Sequence, residues 1–160
     1  MVEIEIRPVK EQDREWIENL MTVRWNDSSV VVHGERFYPA ELPGFLALQG
    51  SEPCGLITYN IQSSDCEIVT MDALLPGHGI GSRLIETLRD KAKKSGCTRL
   101  WLITTNDNTL ALTFYQKRGF RLAALHAGAV ELSRQLKPQI PMIAENGIPI
   151  RDEIELEMDL

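Results

Sequence analysis

Charged and apolar residues alternate strictly at the start of the chain, Val2, Ile4 and Ile6 against Glu3, Glu5 and Arg7, up to Pro8. A period of two puts one side of a strand on a core and the other in water, so residues 2–8 are predicted as a half-buried strand. The period then lengthens. Trp16, Ile17, Leu20, Met21 and Val23 recur at helical spacing and predict a helix over 11–23. Residues 26–42 keep neither period, carry Gly34 and Pro39, and read as a loop with room for a short helix. Three strand-like runs follow at 45–49, 54–61 and 66–74, joined by short polar turns. Runs so closely spaced predict an antiparallel meander.

Beyond residue 76 the pattern changes again. Ile80, Leu84, Ile85, Leu88 and Ala92 mark one face of an amphipathic helix that Gly96 stops. Residues 100–104 are almost entirely apolar, the pattern of a strand buried on both faces. A second helix over 108–118 ends at Gly119, and a strand is predicted at 120–125. The remainder holds a helix over 129–136, a loop broken by Pro138, Pro141 and Pro149, and an alternating strand through Ile154, Leu156 and Met158. No repeat or linker divides the 160 residues, which have the length of one domain. The expectation is a single α+β domain over 1–160, with a mixed, mostly antiparallel central sheet flanked by helices. Residues 138–160 read as a tail carrying the final strand.

Charge narrows the choice of partners. Seventeen Lys and Arg against 23 Asp and Glu leave a net charge of −6, which argues against nucleic acid and anionic membranes. The distribution is uneven. Between Pro76 and Arg118 eight basic residues face three acidic ones, so this segment carries +5 and the rest −11. An acidic chain with one basic segment is suited to host an anion there. Cys54, Cys66 and Cys97 lack disulfide or zinc spacing, and His33, His78 and His126 lie far apart, so no metal site is expected. The alternating N-terminus is unlike a signal peptide and no long apolar run occurs, so the expected location is cytoplasmic.

Two segments carry chemistry. The first is Pro76-Gly77-His78-Gly79-Ile80-Gly81-Ser82, between a strand and a helix. Its glycines let the backbone turn and approach a ligand, and the free amides at the helix start favour a phosphate. It is neither a dinucleotide fingerprint, whose last glycine is missing in either frame, nor a P-loop, which needs a lysine in the turn. The second runs from Asn108 to Phe120. Asn108, Ala111 and Tyr115 share one helical face, placing a phenol at a strand end beside the glycine loop, where it can protonate a leaving group.

Together these segments resemble the GNAT superfamily of acyl-CoA-dependent N-acyltransferases. That family has a loop of pattern Gln/Arg-x-x-Gly-x-Gly/Ala opening a helix, then a buried strand, then Asn-x-x-Ala-x-x-x-Tyr-x-x-x-Gly-Phe. Here the loop maps to Pro76, Gly79 and Gly81, and the second pattern to Asn108, Ala111, Tyr115, Gly119 and Phe120. One departure is Pro76, which removes a polar side chain and one backbone N–H. The resemblance implies a GNAT-like fold and an acetyl-CoA cosubstrate. Its pyrophosphate would lie on Gly77, His78, Gly79, Ile80, Gly81 and Ser82, its pantetheine would run along Val69, Thr70 and Met71, and Asn108 and Tyr115 would contact it. Tyr115 would be the acid and Glu67 the preferred base, with Asp65 and Asp72 as alternatives. The acceptor would be a small amine in a pocket drawn from Arg24, Trp25, Arg36, Tyr38 and Tyr59. Monomer and homodimer both remain open. A non-catalytic acyl-CoA-binding or regulatory module is the alternative reading.

Overall fold

In the computed structural model, residues 3–160 are described, so Val2 of the first predicted strand lies outside them. The strand itself is β1 (Ile4–Pro8), followed by a single 3-10 turn and helix α1 (Arg14–Trp25). The expected meander is present as β4 (Gly44–Gln49), β5 (Glu52–Gln62) and β6 (Asp65–Ala73). Helix α2 (Ile80–Lys94), β7 (Arg99–Thr105), α3 (Thr109–Lys117), β8 (Arg121–His126), α4 (Ala129–Leu136) and β9 (Glu153–Asp159) complete the chain. The fold is mixed α+β. One sheet of seven strands, ordered β1-β4-β5-β6-β7-β9-β8, is antiparallel at every pairing except β6–β7.

The sheet has two apolar faces. On one, the predicted stripe of α2 (Ile80, Leu84, Ile85, Leu88, Ala92) packs with Ile57, Ile68, Leu100 and Leu102. On the other, Ile17 and Met21 of α1 cover Leu46, Leu48 and Leu56. Successive side chains of a strand point to opposite faces, which is why adjacent residues Leu56 and Ile57 belong to different cores.

The parallel pairing is short and shapes the site. It runs only from Asp65↔Arg99 to Ile68↔Leu102, although both strands continue further. At the same point β6 carries a bulge: Thr70 pairs with Thr58 and Ile68 with Tyr59, leaving Val69 unmatched. A bulge bends its strand and increases the twist, so β6 turns away from β7 and the sheet opens between them.

Two features differ from the sequence reading. Residues 26–42 are not simply a loop. They hold a hairpin of β2 (Val30–Val32) and β3 (Glu35–Phe37), then a 3-10 turn at Pro39–Glu41. The connecting His33 and Gly34 have φ of 42° and 78°, the pair of left-handed residues that a tight hairpin demands. Strand β7 is not buried on both faces. Leu100 and Leu102 are buried, whereas Trp101 and Ile103 are half-buried, because their face meets the small hairpin and a cavity. The final strand lies inside the sheet, pairing with β7 on one side and β8 on the other.

The three cysteines are free and buried. Burial pushes the Cys66 thiol up to about 12, with Cys97 and Glu67 adding to the effect. Among the described residues no helix is long and apolar enough to cross a membrane.

Candidate functional site

The glycine loop meets the sheet at the open end of β6. Gly77 and Gly79 adopt φ of 80° and 67°, a conformation that costs other residues about 1–2 kcal/mol. Gly79 is the N-cap of α2, and the first helical bond is Arg83 N–H to its carbonyl, at 3.1 Å. None of the amides from Gly77 to Ser82 therefore has a backbone acceptor among the described residues. A row of free N–H groups at a helix N-terminus is a cradle for an anion. Gly81 is a glycine for a different reason. A β-carbon there would lie 2.8 Å from the ring of Phe114, so α2 and α3 approach closely only without one.

Arg118, absent from the sequence reading of the site, ties the two helices together. Its Nε donates to Ser82 Oγ at 2.7 Å, one N–H donates to the Phe114 carbonyl, and its guanidinium lies 3.5 Å from the Phe114 ring centroid. The signal was its spacing of three from Tyr115 on the same helix. His78 is exposed and turns its Nδ1 to the Pro76 carbonyl, 3.0 Å away.

Between the diverging strands lies a cleft of about 330 Å³ lined by Val69, Thr70, Met71, Thr104, Asn108 and Tyr115, among others. Five of the cofactor-binding positions that the sequence named, Val69, Thr70, Met71, Asn108 and Tyr115, thus line one cleft. Asn108 caps α3, its Oδ1 accepting from the Ala111 N–H at 3.2 Å. Tyr115 is 7% exposed, wedged edge-on between Phe114 and Phe120. Its hydroxyl has no hydrogen-bond partner among the described residues. Burial raises its pKa far above that of an ordinary tyrosine, the nearby Asp72 carboxylate adds to this, and Arg118 opposes it. A phenol so placed stays protonated and is available as a donor.

The carboxylates of β6 separate by environment. Glu67 is buried, and His33 Nε2 lies 2.7 Å from its Oε2. That hydrogen bond is the main reason the His33 imidazole holds its proton to higher pH than usual. Asp72 is also buried, which raises its pKa, while Arg24 at 3.6 Å opposes the shift. Asp65 lies at the far end of the strand, half exposed and 3.7 Å from Arg99. Glu67 lines neither cavity directly. The hairpin that carries His33 covers it.

A second cavity, about 360 Å³, adjoins the first. Ile103, Thr104 and Asn108 belong to both walls, so the two spaces meet at the end of β7. Of the anticipated acceptor-pocket residues, Arg24 and Trp25 line it. Arg36 instead bonds Ser29 Oγ and the Leu136 carbonyl, Tyr38 is exposed, and Tyr59 is buried in stacking contact with Phe45. The sequence reading missed Val31, Asp107, Lys137, Ile140 and Glu153, which belong to the hairpin, to the end of β7 and to the chain after α4.

The sequence profile of the acetyltransferase (GNAT) family matches residues 10–120. The uncharacterized protein YdhI of Bacillus subtilis (strain 168) is 44% identical over 150 residues, covering 93% of this chain and 94% of its own. Among solved structures, the IAA acetyltransferase from Bacillus cereus ATCC 14579 superposes with a TM-score of 0.72 at 23% identity, over 99% of this chain and 100% of its own. A GNAT family acetyltransferase from Elizabethkingia anophelis with acetyl-CoA bound gives 0.69 at 24%, over 98% of each chain. At those identities the structural likeness concerns the fold.

Proposed function

The chain belongs to the acetyltransferase (GNAT) family, and from that premise we propose that it moves an acetyl group from acetyl-CoA to the amine of a small acceptor by direct attack in a ternary complex. One observation carries the reading. A row of amides from Gly77 to Ser82 without backbone acceptors among the described residues adjoins a cleft lined by Tyr115, a largely buried residue whose hydroxyl has no hydrogen-bond partner among the described residues.

Acetyl-CoA supplies a thioester that is already activated. The loop amides hold its pyrophosphate, with Arg118 beside Ser82 adding positive charge. The bulged segment Val69–Met71 offers its freed backbone groups to the pantetheine amides as an added strand. The acceptor enters from the second cavity and reaches the thioester where the two spaces join. Its ammonium loses a proton through a water chain toward the covered Glu67–His33 pair, the C–N bond forms as the C–S bond breaks, Tyr115 gives its proton to the departing sulfur, and the nitrogen's second proton restores the phenol.

Calorimetric titration with CoA, ATP and NAD tests the binding half, and only CoA is expected to saturate. Thiol release over an amine panel tests the chemistry. Tyr115→Phe is expected to retain CoA affinity and thermal stability while losing about a hundredfold or more in kcat. Full turnover by that variant removes Tyr115 from the acid role. A CoA-binding protein that releases no thiol with any amine is the non-catalytic module instead.

A further inference from the structure

The lining of the second cavity includes two buried charged residues, Lys137 and Glu153, together with apolar ones. Lys137 is 5% exposed, and its ammonium donates to the Ser29 carbonyl at 2.6 Å. No carboxylate lies within ion-pair distance of it among the described residues. Burial lowers its pKa, and the neighbouring Arg36 adds to this while Asp27 opposes it. Glu153 is 3% exposed, and no cation lies within ion-pair distance of it among the described residues. Its carboxylate accepts from the His33 backbone N–H at 3.2 Å and from Ser133 Oγ at 3.5 Å. Asp107, in the same lining, has a buried Oδ1 with no hydrogen-bond partner among the described residues. A buried charge without a counter-ion is costly, so the two poles favour a guest that supplies the missing partners.

Strand β2 fixes the spacing of those poles. Lys137 holds the carbonyl of Ser29 and Glu153 holds the amide of His33, one on either side of Val30–Val32. Residues four apart address the same edge of a strand, and this stretch spans roughly 10 Å. Apolar residues of the same lining include Val31, Ile140 and Ile150. The acidic pole lies nearer the acetyl cleft, since Glu153 pairs with Thr105 and Asp107 precedes Asn108, which belongs to both cavities.

We infer that the acceptor is an amino-carboxylate whose amine and carboxylate are separated by an apolar stem of several atoms, the amine lying at Glu153 and Asp107 and the carboxylate on Lys137. This rests on the acetyltransferase reading of the site. An α-amino acid, with its two charges adjacent, is too short to span the poles, and a plain alkylamine leaves Lys137 unpaired.

The test compares 6-aminohexanoate, hexylamine and leucine as acceptors in the acetyl-CoA thiol-release assay. 6-Aminohexanoate is expected to exceed hexylamine and leucine by about tenfold or more in kcat/KM, the worth of one charge-assisted contact. In Lys137→Met the ratio of 6-aminohexanoate to hexylamine falls to about one, within the same order-of-magnitude reading of that contact. In the wild-type protein, hexanoate competes with 6-aminohexanoate and hexanol does not, a measurement that decides the matter even where the variant fails to fold. Hexylamine turning over as well as 6-aminohexanoate, or hexanoate failing to compete, overturns the inference while leaving the acetyltransferase standing. Failure of every amine, or of CoA binding, removes both.

Discussion

Glu67 is held by a partner 34 residues earlier in the chain. His33 sits on the hairpin turn with φ of 42°, its ring against Trp101 and Phe37 and its Nε2 on the Glu67 carboxylate. A histidine whose pKa is raised on folding adds stability that is complete below its unfolded value, about 6.5, and that fades as pH rises through the folded value. His33→Gln removes the charge and keeps a hydrogen-bond donor. The wild type is therefore expected to be more stable than the variant by about 1 kcal/mol near pH 6, with the gap closing as pH rises above about 6.5 through the raised folded value. Urea denaturation of both proteins across that range reads the difference. A gap that is constant with pH, or that widens upward, excludes the charged pair. The same pair shows where sequence reasoning stops. Alternation along β6 could not say which of Glu67, Asp65 and Asp72 faces the cleft, because what separates them is which residue the hairpin covers, and that contact lies across the fold.

Helix α2 owes its position to a glycine of the sheet. A β-carbon on Gly55 would come within 2.6 Å of Ile80 Cγ2 and 3.2 Å of both Ala47 Cβ and the Asp72 carbonyl. Ile80 is the first residue of α2, adjoining the free amides, so anything that lifts it moves the anion cradle. Gly55→Ala is expected to cost about 1–3 kcal/mol by overpacking and to weaken CoA binding about tenfold. Denaturation and calorimetry on the same variant give both numbers. Lost stability with unchanged CoA affinity would show that the loop holds its shape without the sheet beneath it. The elements of this half were legible because their signals are local: the stripe of α2, the glycine turn, and the Asn108 cap with Tyr115 seven residues on. The hairpin was missed because three valines before a His-Gly turn form too short a run to show a period. Glu153 was missed because alternation in β9 groups it with Glu155 and Glu157, which bond to Arg99 and Arg121 near the surface. Its burial comes from β9 entering the sheet between β7 and β8, an order that no local pattern records.

Across the whole molecule the +5 segment divides into charges with different tasks. Arg99 is matched by Asp65, Glu155 and Glu157. Lys91, Lys93 and Lys94 occupy the last turn of α2, where they complement the helix dipole at the end away from the loop. Of the eight basic residues, Arg118 stands at the anion cradle through Ser82 and Arg83 belongs to the first turn of α2. The long-range field at the cradle is therefore smaller than the charge count suggests, and most of the anion affinity is assigned to the amides, which are dipoles and respond weakly to salt. CoA affinity is accordingly expected to fall by only several-fold as sodium chloride rises from about 50 to about 500 mM, a range that shortens the Debye length several-fold. Replacing Arg118 with Met, which keeps the stem over Phe114, should weaken binding at low salt and flatten the remaining dependence. Calorimetry at four or so salt concentrations on both proteins checks this within the screening regime. A loss of a hundredfold or more would place the affinity in the field of the basic segment as a whole, and an equal slope in the Arg118→Met protein would take Arg118 out of the cradle.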